Sequence, residues 1–273
     1  RERREFEEAD AIRDALDDEG FVVEDTPLGS RVRPKTAWER QRERWRAISS
    51  SADVPALVDE NDSADFTIGI VACNYRDDVK RCLTGALDWI GDRSWEAVVV
   101  DNCSSDGTGE WLEEAASEDS RVRVVHTDHA LGEGAAKNVV LKQSRGRTVV
   151  LLDPSAEVAG DIYAPIEKML ADETTAAVGP FGLRTDNLHH FHDGEGEAGD
   201  MDAMQAYCFA FRRERLRDVG LMRESFRFYR NLDLDYSFHF KDKGYRIVAD
   251  PTLPVRRHEH RVWSELPEGE RDE

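Results

Sequence analysis

The chain has no long apolar run. Its longest uninterrupted stretches fall far short of the roughly 20 residues that carry a helix across a bilayer. The first ten residues, RERREFEEAD, hold no apolar signal core either. A membrane span and a secretory leader are therefore not expected, and a cytoplasmic location is. Cysteine is scarce as well: Cys73, Cys82, Cys103 and Cys208 form no CxxC pair. Neither a disulfide framework nor a cysteine zinc cage is indicated, and reduced thiols are expected. Lysine is short too, supplying 7 of the 37 basic residues, and these face 57 acidic ones for a formal net charge of −20. Such a surface does not capture nucleic-acid phosphates at large, so no DNA partner is expected and only a local basic groove stays open.

What remains is a globular composition. With 40% apolar residues, the 273-residue chain can bury a sizeable core, as one large domain with an appendage or as two small ones. In the first 19 residues Phe6, Ala9, Ile12 and Leu16 recur at three- and four-residue spacing, which predicts a short amphipathic helix ended by Gly20. The β-prone Phe21–Val23 and Arg31–Arg33 flank Asp25, Pro27 and Gly29, which predicts a small hairpin. Trp38, Trp45 and Ile48 suggest a second helix within 35–48. Residues 49–65 mix turn formers, acids and a proline and read as a linker. The expected organisation is thus an extension over 1–48, a linker over 49–65 and a main domain over 66–273.

The stretch ADAIRDALDDEGFVVEDTPLGSRVR, residues 9–33, resembles the C-terminal end of cysteinyl-tRNA synthetases. The likeness covers about 30 residues and includes no aminoacylation machinery, so a structural cap is the expected role. An RNA-binding role would need a basic face, and residues 1–46 carry eleven basic against thirteen acidic residues.

From Phe66 apolar runs alternate with amphipathic segments. FTIGIVAC, WEAVVVD, RVRVVH and TVVLLD read as strands, and Val79–Ile90, Gly107–Ala116 and Ala135–Ser144 as helices. Repeated βα order implies an α/β fold, a doubly wound, mostly parallel sheet flanked by helices, with ligands at the carboxyl ends of the strands. Asn74, Asp101 and Asp153 stand at three such ends. Asp106, in the turn DGT before a helix, is a candidate for an anion site at a helix start or for a plain N-cap.

Six segments in order carry a second resemblance: IVACNY, VVVDNCSSDGT, GEGAAKN, VVLLDPS, YRNLDLDYSF and KGYRIVADPTLPVRRHEH. Together, over residues 66–263, they resemble family 2 glycosyltransferases of the GT-A fold. The resemblance implies transfer of a sugar from a nucleotide-diphosphate sugar to an acceptor hydroxyl, with inversion and with help from Mg²⁺ or Mn²⁺. By the family pattern Cys73, Asn74, Tyr75, Asp101, Asp106, Lys137 and Asp235 would line the donor pocket, and Gly134 and Ala135 would permit close approach. Asp153 matches the first acid of the DxD motif. The second acid is absent, with Pro154 and Ser155 in its place, so the cation would rest on Asp153, Ser155 and the late histidines His258 and His260. Leu232 replaces the usual Glu before Asp233, leaving Asp233 as the expected base. Asp235 is either its neighbour in the site or a helix-opening acid.

The resemblance does not choose among a glycan, a lipid-linked or a protein acceptor, and it allows peripheral contact with a membrane. The departures at Ser155 and Leu232 keep a non-catalytic nucleotide- or glycan-binding role as the alternative. His189, His190 and His192 lack zinc-site spacing and read as a polar loop, while Asp202, Met204 and Tyr207 are candidates for sugar contact or for packing.

Overall fold

The computed structural model describes residues 12–26, 29–194, 196–228 and 231–266, in two compact units, 1–47 and 48–273. Phe6, Ala9, Pro27 and the tail after 266 lie outside the described residues.

In the first unit residues 12–18 are helical, and strands β1 (Phe21–Thr26) and β2 (Gly29–Pro34) pair antiparallel from Phe21↔Pro34 to Thr26↔Gly29. Helix α1 (Ala37–Trp45) follows. Its start is a capping box: the Thr36 N–H donates to Glu39 Oε2 at 2.8 Å and the Glu39 N–H to Thr36 Oγ1 at 3.4 Å. The Lys35 ammonium, 5% exposed, lies 2.8 Å from Asp17 and 2.6 Å from Glu43. It ties the first helix to α1 across the hairpin.

The second unit contains β3 (Ala64–Ala72), α2 (Arg76–Asp88), β4 (Trp95–Asp101), α3 (Thr108–Glu118), β5 (Val122–His126), α4 (Glu133–Gln143) and β6 (Gly146–Leu152). It continues with β7 (Ala156–Val158), α5 (Tyr163–Leu170), β8 (Thr175–Gly179), β9 (Gly182–Arg184), β10 (His192–Asp193), β11 (Gly199–Met201) and β12 (Ala203–Met204). Last come β13 (Cys208–Arg212), α6 (Leu216–Val219), α7 (Leu232–Asp242), β14 (Arg246–Ala249), β15 (Val255–Arg257) and α8 (Arg261–Ser264). An eight-stranded sheet runs β11-β14-β8-β13-β6-β3-β4-β5. Its strands β6, β3, β4 and β5 are mutually parallel, while β13 is antiparallel to both β6 and β8. The α/β reading of the sequence holds, with boundaries shifted by one to three residues.

Both faces are covered, which is why these strands are continuously apolar and do not alternate with polar residues. Ile68, Ile70 and Val99 pack on one side with Val79 and Leu83 of α2, Leu112 of α3 and Ile166 of α5. Val71, Val98 and Val100 pack on the other with Val139 and Val140 of α4 and Tyr236 and Phe240 of α7. Phe209, Phe211, Tyr236 and Phe240 form an edge-on cluster with centroids 5.2–6.1 Å apart. This cluster seats α7 on β13. No helix among the described residues is long and apolar enough to cross a membrane.

The stretch that reads as a linker is built onto the second unit. Ile48 pairs with Thr127 beyond β5, the Leu57 N–H donates to the Lys142 carbonyl at 2.7 Å, and Lys142 Nζ returns to the Ser51 carbonyl at 2.7 Å. Its anchor is Arg213, 2% exposed, which donates to the carbonyls of Leu57 (2.8 Å) and Ser144 (3.1 Å) and to Asp62 (2.9 Å). Composition misleads here because most of the polar side chains face water while the backbone, Leu57, Val54 and Val58 do the packing and Ser51 is buried against Glu224. Arg213→Ala leaves buried carbonyls without donors and is expected to cost about 3 kcal/mol, read as a lower urea midpoint with the far-ultraviolet dichroism of the folded state retained.

Candidate active site

The parallel strands deliver their first loop residues to one edge of the sheet. After β3 come Cys73, Asn74 and Tyr75, the last two in the left-handed region at φ 60° and 56°. Asn74 uses this turn to bind the next loop: its Oδ1 accepts the Ser105 N–H at 2.8 Å, and its own N–H donates to Ser104 Oγ at 2.8 Å. Asp106 answers in the opposite direction, accepting the N–H of Arg76 at 3.2 Å and that of Thr108 at 3.1 Å. It thus closes the turn that leads into α3, whose N-cap is Gly107, and straps that turn to the start of α2. Burial opposes its charge, but these hydrogen bonds outweigh burial and hold its carboxyl below the usual range. The Cys73 thiol is pushed up to about 11 by burial, which leaves it neutral and unreactive.

Asp101 ends β4 and is fully buried. Its Oδ2 meets His126 Nδ1 at 2.8 Å, its Oδ1 accepts the Ser104 N–H at 3.0 Å, and His126 Nε2 continues to Glu113 at 2.9 Å. Burial disfavours the imidazolium, but the two carboxylates outweigh it and His126 titrates above its ordinary value. Asp101 is not among the residues that line the cleft; its carboxylate braces the loop after β4.

The cleft itself is lined by Cys73, Tyr75, Asp78, Glu133, Asp153 and Ser155 on one side and by Glu259–Val262 on the other. Asp153 follows β6, 6% exposed. Its Oδ1 accepts the Ser155 N–H at 2.8 Å and the Ser155 hydroxyl, and its Oδ2 meets His260 Nε2 at 3.0 Å. Burial works against this carboxylate, yet His260 and Ser155 hold it below its usual range, and His260 is raised in turn. His258 is not part of this group: its Nε2 lies 2.6 Å from Glu157. The chain leaves β15 after Arg257 and turns into α8, whose first turn His260 caps by accepting the Trp263 N–H at 3.2 Å, so one histidine of the RRHEH stretch enters the cleft and the other leaves it.

The second acid motif sits on the adjoining side. Asp233, in the first turn of α7, is half-buried; its Oδ1 accepts the Leu234 N–H at 2.9 Å and its Oδ2 the Ala206 N–H at 3.2 Å. Burial raises its pKa, partly offset by the Lys137 ammonium. Lys137, 5% exposed on α4, pairs with Glu133 at 3.0 Å. Burial opposes its charge, but Glu133, Asp153 and Asp233 outweigh it and raise its pKa. Asp235 lies elsewhere on α7, 3.3 Å from Arg223 and 3.4 Å from His239.

Gly134 and Ala135 do not front the cleft in the way close approach by a ligand would require. A Cβ at Gly134 would collide with the Arg223 carbonyl oxygen, so its bare backbone admits the 223–227 loop, which accepts the Glu133 and Gly134 N–H groups at 3.0 Å. Sequence reasoning missed Asp78, Glu133 and Arg261. Arg261 bonds Asp78 at 2.7 Å and stacks 4.6 Å over Tyr75, whose hydroxyl donates to Glu265 at 2.5 Å. Their signal is present but faint: an acid one turn into α2, an acid four residues before Lys137, and a cation following the late histidine.

A divalent cation is tested by the donor set. Among the described residues no three His, Cys, Asp or Glu side chains cluster as a cage. Asp153 and His260 do converge, with the Ser155 hydroxyl beside them, and a hard cation that keeps waters and phosphate oxygens in its shell needs only one or two protein ligands. The residues present fit such an ion.

Residues 67–240 match glycosyl transferase family 2, and the chain belongs to that family. Its fold is the GT-A fold: a mannosyltransferase of Pyrobaculum calidifontis, solved with GDP-Man and Mn²⁺, superposes with a TM-score of 0.56 at 23% identity over 78% of this chain and 61% of that one. GalNAc-T7, solved with UDP, GalNAc and Mn²⁺, gives 0.61 at 20% identity over 74% of this chain and 45% of that one. In sequence the chain is 35% identical over 80 residues to the putative teichuronic acid biosynthesis glycosyltransferase TuaG of Bacillus subtilis (strain 168), 29% of this chain and 31% of that protein. It is 37% identical over 97 residues to the succinoglycan biosynthesis protein ExoO of Rhizobium meliloti (strain 1021), 36% of this chain and 27% of that protein. The matched segments thus span about a third of these relatives or less.

Asp106→Ala removes the hydrogen bonds that close the turn before α3 and strap it to α2 and is expected to lower stability by about 1 kcal/mol at neutral pH. Because the folded pKa is depressed, the deficit exists above the unfolded value and shrinks as pH falls through the folded one. Urea titrations at neutral and strongly acidic pH check both points.

Proposed function

We propose that this chain transfers a sugar from a nucleotide-diphosphate donor to an acceptor hydroxyl with inversion at the anomeric carbon. The observation that carries this reading is the joint placement of Asp153 and Asp233. The tripeptide 205–207 gives its Ala206 N–H to Asp233 and its Tyr207 carbonyl to the Asp153 N–H (3.1 Å), and the Lys137 ammonium is attracted to both acids.

Two functions need to be close but separate in such a site. The diphosphate must meet positive or hydrogen-bonding groups, and the incoming hydroxyl must meet a base. His260 and Arg261 border the cleft beside Asp153. A Mg²⁺ or Mn²⁺ held by Asp153 and His260, with Ser155 alongside, would supply the charge that stabilises the departing diphosphate. Asp233 is the base: it takes the proton of the acceptor hydroxyl as the oxygen attacks the anomeric carbon and the bond to phosphate breaks. Burial lifts its pKa, which strengthens it as a proton acceptor, and the Lys137 ammonium opposes the lift. Cys73, Asn74 and Tyr75 border the donor cleft, Asp101 and Asp106 support its loops, and Asp235 holds the start of α7 against Arg223.

The free volume of the cleft is about 40 Å³, far below the roughly 300 Å³ of small-molecule pockets. Residues 259–265 lie across it, pinned by Arg261 to Asp78 and by Tyr75 to Glu265. Donor binding therefore moves this strap. Trp263, packed edge-on to Phe228 at 6.0 Å, is a built-in reporter of that movement.

A thermal-shift panel of UDP and GDP with and without Mn²⁺, followed by hydrolysis of UDP- and GDP-sugars, tests the reading. At least one nucleotide diphosphate should raise the melting point, and binding with no turnover of any donor would favour the non-catalytic alternative. Asp233→Asn is expected to cut transfer by about 10³-fold or more with donor affinity unchanged. Since the base must be deprotonated, activity falls as pH drops through the folded pKa of Asp233, and the acid limb lies above the ordinary value of about 4. Lys137→Met removes the opposing charge and moves that limb to higher pH, measurable in kcat against pH.

A further inference from the structure

A second cavity, of about 280 Å³, opens at Gln205 and Arg257 and is larger than the donor cleft in its present state. Its walls include Phe181, Gly182, Asp193, Gln205 and Arg257. The Arg257 guanidinium lies 4.6 Å over the Phe181 ring and 5.5 Å from that of Tyr207, and the two rings meet edge-on at 5.8 Å. Cation–π contact thus fixes the guanidinium plane. Its Nη1 donates to Gln205 Oε1 at 3.1 Å, and Gln205 Nε2 donates in turn to Asp193. Three planar polar groups stand in one hydrogen-bonded row beside aromatic surface.

We propose that this cavity is the acceptor site and that it takes an uncharged sugar ring. The inference rests on the glycosyl-transfer reading above and adds the chemical class of the acceptor. Three features point to it. A sugar hydroxyl both donates and accepts, so neighbouring hydroxyls match a row of guanidinium, amide and carboxylate at either link, while the C–H face of the ring matches an aromatic edge. Charge favours a neutral ring: among the lining residues one arginine is balanced by one aspartate, which leaves no net positive charge to hold a uronate or a phosphate. Position ties the cavity to the chemistry, because Gln205 is followed directly by the residues whose backbone holds Asp233 and Asp153. On the other side Arg257 is paired in register with Ala156, three residues from Asp153.

The test is titration of the full chain with methyl glucoside, methyl mannoside, methyl galactoside and methyl glucuronide by saturation-transfer NMR, with UDP and GDP titrated in parallel. The expected result is binding of at least one neutral glycoside, with the glucuronide at least tenfold weaker. Gln205→Ala and Arg257→Lys, which keeps charge but loses the planar fork, should each weaken it tenfold or more and leave nucleotide affinity unchanged. Asp193→Asn, at the exposed rim, repeats the measurement should Arg257→Lys unfold. Nucleotide binding with no neutral glycoside bound, glycoside binding indifferent to these substitutions, or preference for the glucuronide would overturn the inference and leave the transferase reading standing. Absence of nucleotide binding would instead strike at that reading.

Discussion

The site depends on one backbone pairing, β13 running antiparallel to β6 with Cys208 opposite Leu152. That register sets the residues before Cys208 against the residue after Leu152. A peptide carbonyl thereby orients Asp153 and a peptide N–H orients Asp233, two acids 80 positions apart in the chain. Neither contact uses a side chain of the tripeptide, so rigidity comes from the sheet and leaves side chains such as Gln205 to other work. The aromatic cluster beneath α7 completes the arrangement by fixing the helix that presents Asp233.

Charge compensation is the second organising constraint. Buried carboxylates are costly unless each meets a cation or several donors, and this acidic chain gives every buried acid at the site such partners. Asp101 has His126 and the Ser104 N–H, Asp153 has His260 and Ser155, and Asp233 has two backbone N–H groups and the field of Lys137. The partners differ in consequence. At Asp153 they hold the carboxyl below its usual range; at Asp233 burial wins and the pKa is raised. One fold therefore shifts two carboxyls of the same residue type in opposite directions.

The strap over residues 259–265 and the cavity at Arg257 belong to one stretch of chain. The strand β15 pairs with β7 immediately after the Asp153 loop, and the chain that leaves it passes from one cavity to the other. Arg257 lines the second cavity and His260 and Arg261 the cleft, while His258 turns out to Glu157. Movement of the strap on donor binding would act on both spaces through this shared backbone.

Much of the fold is written in local pattern. The runs at 66–73, 95–101 and 148–153 are largely apolar because both faces of the parallel sheet are covered, and 121–126 is its partly exposed edge strand. The order of motifs along the chain also suffices for the family and for nominating Asp153, Asp233 and Lys137. Side-chain direction is different in kind. Whether Asp101 faces a ligand or His126, whether His258 or His260 meets Asp153, whether Gly134 makes room for a ligand or for the Arg223 carbonyl, and whether 49–65 tethers or packs all turn on contacts between segments distant in sequence. Local propensity carries no information about such contacts, since each is fixed by register and crossing geometry that exist only once the sheet has closed. Residue type and order were thus determined by the sequence alone, and the division of those residues between support, donor cleft and second cavity was settled by tertiary packing.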